Sequence, residues 1–205
     1  MSDQVELTDP VVHSVGGMYG HLFRRGFHIA MSAIPLVYYE YGEKLADMVS
    51  LTELQLVSAM VLSLVFAEAV RLKLGITIFG QRDYESKQVS ALAWGAFAVG
   101  MTFMALSEYP ELVWPLILSL SLGDPFLGEL RRKGLDSRRV FILGSIFIAV
   151  IWVATWHFIE TPLLLALLMG PLCVAAEWPR LRWIDDNATM LLIPLSAAIL
   201  LVPWL

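Results

Sequence analysis

Cysteine is nearly absent from this chain: Cys173 is the single thiol in 205 residues. No intrachain disulfide can form, and a lone thiol inside an apolar run reads as a small buried hydrophobe. Histidine is also sparse. His13, His21, His28 and His157 have no zinc-ligand spacing, and with one cysteine the chain lacks the donors of a transition-metal site. Charged residues make up 16%, against about a quarter in a soluble domain. No G-x-x-x-x-G-K-[ST] occurs, which excludes a P-loop as phosphate cradle. The opening residues MSDQVELTDP are acidic and lack the basic, apolar and small-residue order of a cleaved secretory signal, so the first span is expected to direct insertion. Nothing in this composition calls for nucleic acid as a partner.

What remains is largely oil. Hydrophobic residues make up 58% and mean hydropathy is +0.68, which predicts an all-α polytopic integral membrane protein. Seven apolar segments follow in order: Phe27 to Tyr41, Leu54 to Val70, Val89 to Leu106, Leu112 to Leu122, Val140 to His157, Leu163 to Ala176 and Ala188 to Leu205. A hydrocarbon core of roughly 30 Å needs about 20 helical residues, so the second, third, fifth and seventh suffice once their flanks are counted. The others are short and contain Pro35, Pro115 and Gly170-Pro171, either as ordinary kinks or where backbone lines a polar cavity. No repeat or long linker divides the chain. Residues 1–22 read as a polar N-terminal segment and 23–205 as one transmembrane domain, with Val15 to Gly20, VGGMYG, as flexible chain.

Seven crossings sort the basic residues sharply. One side receives Arg24, Arg25, Arg71, Lys73, Arg82, Lys87, Arg131, Arg132, Lys133, Arg138, Arg139, Arg180 and Arg182; the other receives Lys44 alone. The positive-inside rule then puts the N-terminus in the cytoplasm and the C-terminus outside. Five polar segments fall on that inner side: HLFRRGFH, AEAVR, Gln81 to Lys87, Ser121 to Lys133, and EWPRLRWIDDN from Glu177 to Asn187.

Adjacent carboxylates beside an amide are hard oxygen ligands suited to Mg²⁺, which takes one or two carboxylates and completes its shell with substrate phosphates and water. Arg and Lys supply the counter-charge for those phosphates. The combination points to a polyphosphate substrate at the membrane surface. Plainer roles compete at each position. Asp185, Asp186 and Asn187 precede a helix and one of them could cap it; Glu68 and Arg71, three apart on one helical face, could be a local ion pair; Gly123-Asp124-Pro125 could be a turn. His28 reads as a satisfied interfacial histidine, and Arg131, Arg132 and Lys133 as topology signals and headgroup contacts, with a nucleotide role second.

The chain resembles the CTP-dependent polyprenol kinase family, which includes dolichol kinase, phytol kinase and the CTP-using diacylglycerol kinase of fungi and is related to phosphatidate cytidylyltransferases. The resemblance lies in RRGFH (Arg24 to His28), EAVR (Glu68 to Arg71), RDYESK (Arg82 to Lys87), GDPFL (Gly123 to Leu127), and Glu177 followed by Asp185, Asp186 and Asn187. Leu127 stands where the family pattern has alanine. The family's lysine-serine-x-x-glycine-serine element is matched only by the base and Gly-Ser pair of RRVFILGS, Arg138 to Ser145. The resemblance implies phosphoryl transfer from CTP to the terminal hydroxyl of a long isoprenoid alcohol drawn from the bilayer. Asp124, Asp185 and Asp186 would gather Mg²⁺ and the triphosphate, with Asn187 and Gly123 beside them. Arg25, Arg71, Arg82 and Lys87 would carry phosphate charge, and Glu68 or Glu177 would accept the alcohol's proton.

Two other functions fit the same sequence. A cytidylyltransferase would use similar groups but attack the α-phosphate, releasing pyrophosphate and a CDP-lipid. A transporter or lipid-binding protein would instead line a path through the bilayer with its carboxylates. Oligomeric state is open at this level.

Overall fold

A computed structural model describes residues 14–179, 181 and 183–204. The acidic opening residues, and Arg180, Arg182 and Leu205 of the assignments above, lie outside the described residues.

The described chain is helical throughout, with one isolated antiparallel bridge between Ser14 and Arg82. Helix α1 (Gly17–Ala30) passes through a 3₁₀ turn (Met31–Ala33) into α2 (Ile34–Asp47). Pro35 falls in the first turn of α2. The path remains helical from 17 to 47, about 45 Å at 1.5 Å per residue. Thr52 starts α3 (Glu53–Leu74) with a capping box: its hydroxyl accepts from Gln55 N at 3.2 Å, and Gln55 Oε1 accepts from Thr52 N at 2.9 Å. Gly75, left-handed at φ 64°, ends that helix. Ser90 caps α4 (Ala91–Leu106) and Asp136 caps α6 (Ser137–Ile159), with α5 (Pro110–Arg132) between them. Helices α7 (Leu163–Glu177) and α8 (Asp186–Leu201) complete the bundle.

Each apolar segment read from the sequence contains a helix, but two boundaries are corrected. VGGMYG is not flexible chain. Gly16, at φ 91°, is the N-cap of α1, and Val15 is pinned by Val15 N donating to Gln81 O at 2.8 Å and Gly80 N donating to Val15 O at 3.0 Å. The fourth segment does not stop at Leu122, and Gly123-Asp124-Pro125 is not a turn; α5 runs unbroken to Arg132, 23 residues in all. Packing overrides both of its interior prolines. Pro115 leaves the Glu111 carbonyl without an intrahelical partner, and Thr161 Oγ1 donates to it at 2.8 Å.

Helix α5 lies in the interior with α8 against it, surrounded by α4, α6 and α7; α1 leans on α5, and α3 on α4. The core joins Leu116, Ile117 and Leu120 of α5 to Ile148 and Trp152 of α6, Met169 of α7 and Leu191 of α8. Trp152 satisfies its indole N–H there by donating to Ser119 Oγ at 3.0 Å. Gly123 lets α5 and α8 close up: a Cβ on it would lie 2.8 Å from Met190 Cε. Three helical stretches, Glu53–Leu74, Ser137–Ile159 and Asp186–Trp204, are long and apolar enough to cross a membrane. Leu62 and Phe66 of α3 are 70% and 72% exposed. Such large bare hydrophobes suit a lipid bilayer better than water.

Candidate functional site

The five polar segments meet at one end of the bundle, joined by ion pairs. Arg24 of α1 donates to Glu85 Oε1 at 3.0 Å, and Arg25 to Glu129 Oε2 of α5 at 3.0 Å. Arg131, near the end of α5, donates to both carboxylate oxygens of Glu177, the last residue of α7, at 2.5 and 2.7 Å. Glu177 is buried at the negative end of the α7 dipole, which makes that guanidinium its necessary counter-charge.

Asp124 of α5, Glu177 of α7 and Asp186 of α8 form the centre of this region. One carboxylate oxygen from each lies within 4.8 Å of the others, a spacing that could hold a metal ion. Three carboxylates so close repel one another, and a hard divalent cation relieves that repulsion. All three donors are oxygen, which fits Mg²⁺. The Asp-Asp-Asn run divides its work where the chain enters α8, with Asp185 outside the helix and Asp186 and Asn187 in its first turn. Asp185 is the N-cap of α8, its Oδ1 accepting from Asn187 N at 3.1 Å. Burial, and then the neighbouring Asp186 charge, push the Asp185 carboxyl above the usual carboxylate range. Asp186 joins the cluster. Asn187 is buried, and its Nδ2 donates to Ala91 O at 3.3 Å, tying the start of α8 to the start of α4.

Glu68 and Arg71 are engaged otherwise. Arg71 Nε and one Nη2 donor reach Glu68, both at 2.8 Å; Nη1 donates to the carbonyls of Ile76 and Glu85, each at 2.7 Å; Nη2 also donates to Gln88 O at 2.8 Å. Those bonds use all five guanidinium donors. Glu68 Oε1 additionally accepts from Ser90 N at 2.6 Å. The pair thus fastens the loop over 75–90 to the end of α3, with no donor of Arg71 left for a phosphate. Arg25 is held by Glu129, which also binds Arg132. Gly123 is a helix-packing residue. Arg82 donates to the Tyr84 hydroxyl at 2.6 Å and feels the charges of Asp186 and Asp185. Lys87 is exposed at the end of a 3₁₀ turn, Asp83–Lys87.

Histidine 28 is not the satisfied residue expected from the sequence. It is buried, its Nδ1 has no hydrogen-bond partner among the described residues, and that nitrogen lies 3.6 Å from Asp124 Oδ2, too far for a hydrogen bond. The sequence ranks a site role for Arg131 second, although Asp124 and Arg131, seven apart, share a face of any helix that continues through Pro125. Arg24 and His28 have the same relation, four apart on α1.

Compared with family models, curated proteins and solved structures, the chain matches none.

Proposed function

We propose that this protein is a multi-pass membrane phosphotransferase that moves the γ-phosphoryl group of a nucleoside triphosphate, CTP by the motif resemblance, to the hydroxyl of an isoprenoid lipid alcohol. The observation that carries the reading is the Asp124, Glu177 and Asp186 cluster, ringed by Arg24, Arg82 and Arg131 at one end of an apolar bundle. In this reading the chain crosses the bilayer seven times with its N-terminus in the cytoplasm, and the clustered end faces the cytoplasm, where nucleotide is supplied.

Asp124, Asp186 and Glu177 would hold Mg²⁺, which when bound screens the triphosphate oxygens and orients them for in-line attack. Arg131 fixes Glu177, and Asp185 fixes the first turn of α8, so that the carboxylates keep their places. Arg82 and Lys87 carry charge to the phosphate side of the site. The alcohol oxygen bonds to the γ-phosphorus while the bond from that phosphorus to the β,γ-bridging oxygen breaks, releasing CDP, and the hydroxyl proton leaves to solvent. A loose transition state asks the protein mainly for position and counter-charge, which this set of residues can supply.

The test is product analysis. Purified protein, Mg²⁺, each labelled nucleoside triphosphate and a panel of lipid alcohols should give nucleoside diphosphate and a phosphorylated alcohol. Pyrophosphate with a CDP-lipid would instead make it a cytidylyltransferase. No turnover with any donor would remove the enzymatic reading.

A further inference from the structure

Helices α1 and α4 both reach the clustered end, yet α1 packs on α5 and α4 on α8 and α3, leaving a crevice between α1 and α4. Phe23 and Phe27 of α1 and Met31 of the 3₁₀ turn line one wall at successive turns, a run of about 12 Å; Leu92 and Gly95 of α4 line the other. At the loop end Phe79 meets Phe23 edge to face, with ring centroids 5.6 Å apart, and Gly80 packs against Phe23. That end is therefore covered. Phe23 and Phe27, 53% and 40% exposed, leave the long side open where the bundle's bare apolar surface lies.

One edge of the crevice is polar. Arg24, His28, Gln81 and Glu85 line it. His28 belongs both to that edge and to the site, because its Nδ1 is 3.6 Å from Asp124. An apolar slot one helix-stripe wide on each wall, open to lipid on one side and ending in buried polar groups beside three carboxylates, matches one kind of molecule: a single hydrocarbon chain with an uncharged polar head. Water alone would leave the aromatic wall wet, and a two-chain lipid would present two tails to one slot.

We propose that the α1/α4 crevice holds the head-proximal part of a single-chain lipid alcohol, its hydroxyl lying at His28 and so at the Asp124 cluster. The proposal rests on the phosphotransferase reading for the purpose of the bound alcohol, but the crevice can be tested without turnover. Cys173 is fully buried, so a cysteine introduced by Leu92→Cys or, on the opposite wall, by Phe27→Cys becomes the reactive thiol. Phe66→Cys on the bare face of α3 serves as control.

Maleimide labelling is followed in phosphatidylcholine nanodiscs without nucleotide or Mg²⁺, with geranylgeraniol or dioleoylglycerol added. Protection follows occupancy, so geranylgeraniol at about four times its Kd should slow labelling at Leu92→Cys about fivefold. Phe66→Cys should be unaffected and dioleoylglycerol should protect neither wall. If Leu92→Cys does not fold, Phe27→Cys gives the same readout from an exposed position. Absent protection, equal slowing at Phe66→Cys, or equal protection by dioleoylglycerol would overturn the proposal. Protection without phosphoryl transfer would remove the kinase reading and leave the crevice as a lipid site; transfer without protection would do the reverse.

Discussion

Arg131 grips Glu177 through both terminal nitrogens, and this pair closes the C-terminal end of α5 onto that of α7. The Glu177 side chain is 1% exposed and that of Arg131 43%, so the two partners are unequal. Removing Arg131 strands a buried carboxylate, whereas removing Glu177 returns a half-exposed guanidinium to solvent. Arg131→Ala should therefore cost more stability than Glu177→Gln, about 1.5–3 kcal/mol for charge-assisted bonds of this kind. The double variant should be less destabilised than the sum of the two. Thermal unfolding in detergent of the four proteins reads this directly; additive losses would mean that the two side chains do not act as a pair.

The Arg71 staple gives a different signature. Five donors serve one carboxylate and three carbonyls, so Arg71→Ala should loosen the segment over 75–90, and Arg71→Lys, with three donors on a point charge, should not restore it. Limited proteolysis should show faster cutting in that segment for both variants. A selective rise in nucleotide KM with unchanged proteolysis and melting would return Arg71 to a phosphate-binding role.

How much of this was legible in the sequence differs by scale. Each apolar run proved helical, because such runs bounded by charge have few alternatives in an all-α chain, but the part of α1 before Phe27 lay outside them. Hydropathy failed at Gly123-Asp124-Pro125, where local turn chemistry pointed one way and packing against Met190 and Ile148 the other. That one error hid the relation between Asp124 and Arg131. The carboxylates of the site were legible as residues but not as this set: only the crossing of α5, α7 and α8 brings Glu177 to Asp124 and Asp186. His28 was legible as the end of RRGFH, but not its place beside Asp124, since an unpartnered ring nitrogen has no sequence signature.

Gly123 separates packing from ligand contact. Its Cβ would meet the far end of a flexible methionine at 2.8 Å, so Gly123→Ala should be accommodated by a shift of Met190. Gly123→Val should cost about 1–3 kcal/mol by overpacking. Met190→Ala in the Val background should recover part of that loss. Melting temperatures test the series, and a Val variant that loses nucleotide binding at full stability would contradict the packing role.

The Asp-Asp-Asn run provides the sharpest test, because two adjacent aspartates are assigned unlike tasks. Asp185 caps α8 through a hydrogen bond that asparagine makes equally well, so Asp185→Asn should change stability by only a few tenths of a kcal/mol. The amide also removes a charge that burial and Asp186 disfavour, so any shift should be toward greater stability at neutral pH. Asp186 lies in the cluster with Asp124 and Glu177, where charge rather than shape would hold a cation. Asp186→Asn and Asp124→Asn should each abolish divalent-ion binding with little loss of fold. Titration with Mn²⁺ followed by electron paramagnetic resonance measures that binding without any assumption about the reaction. Wild type and Asp185→Asn should bind alike, and the other two should not. Equal loss in Asp185→Asn and Asp186→Asn would mean that both aspartates face the ion and that Asp185 does more than cap α8.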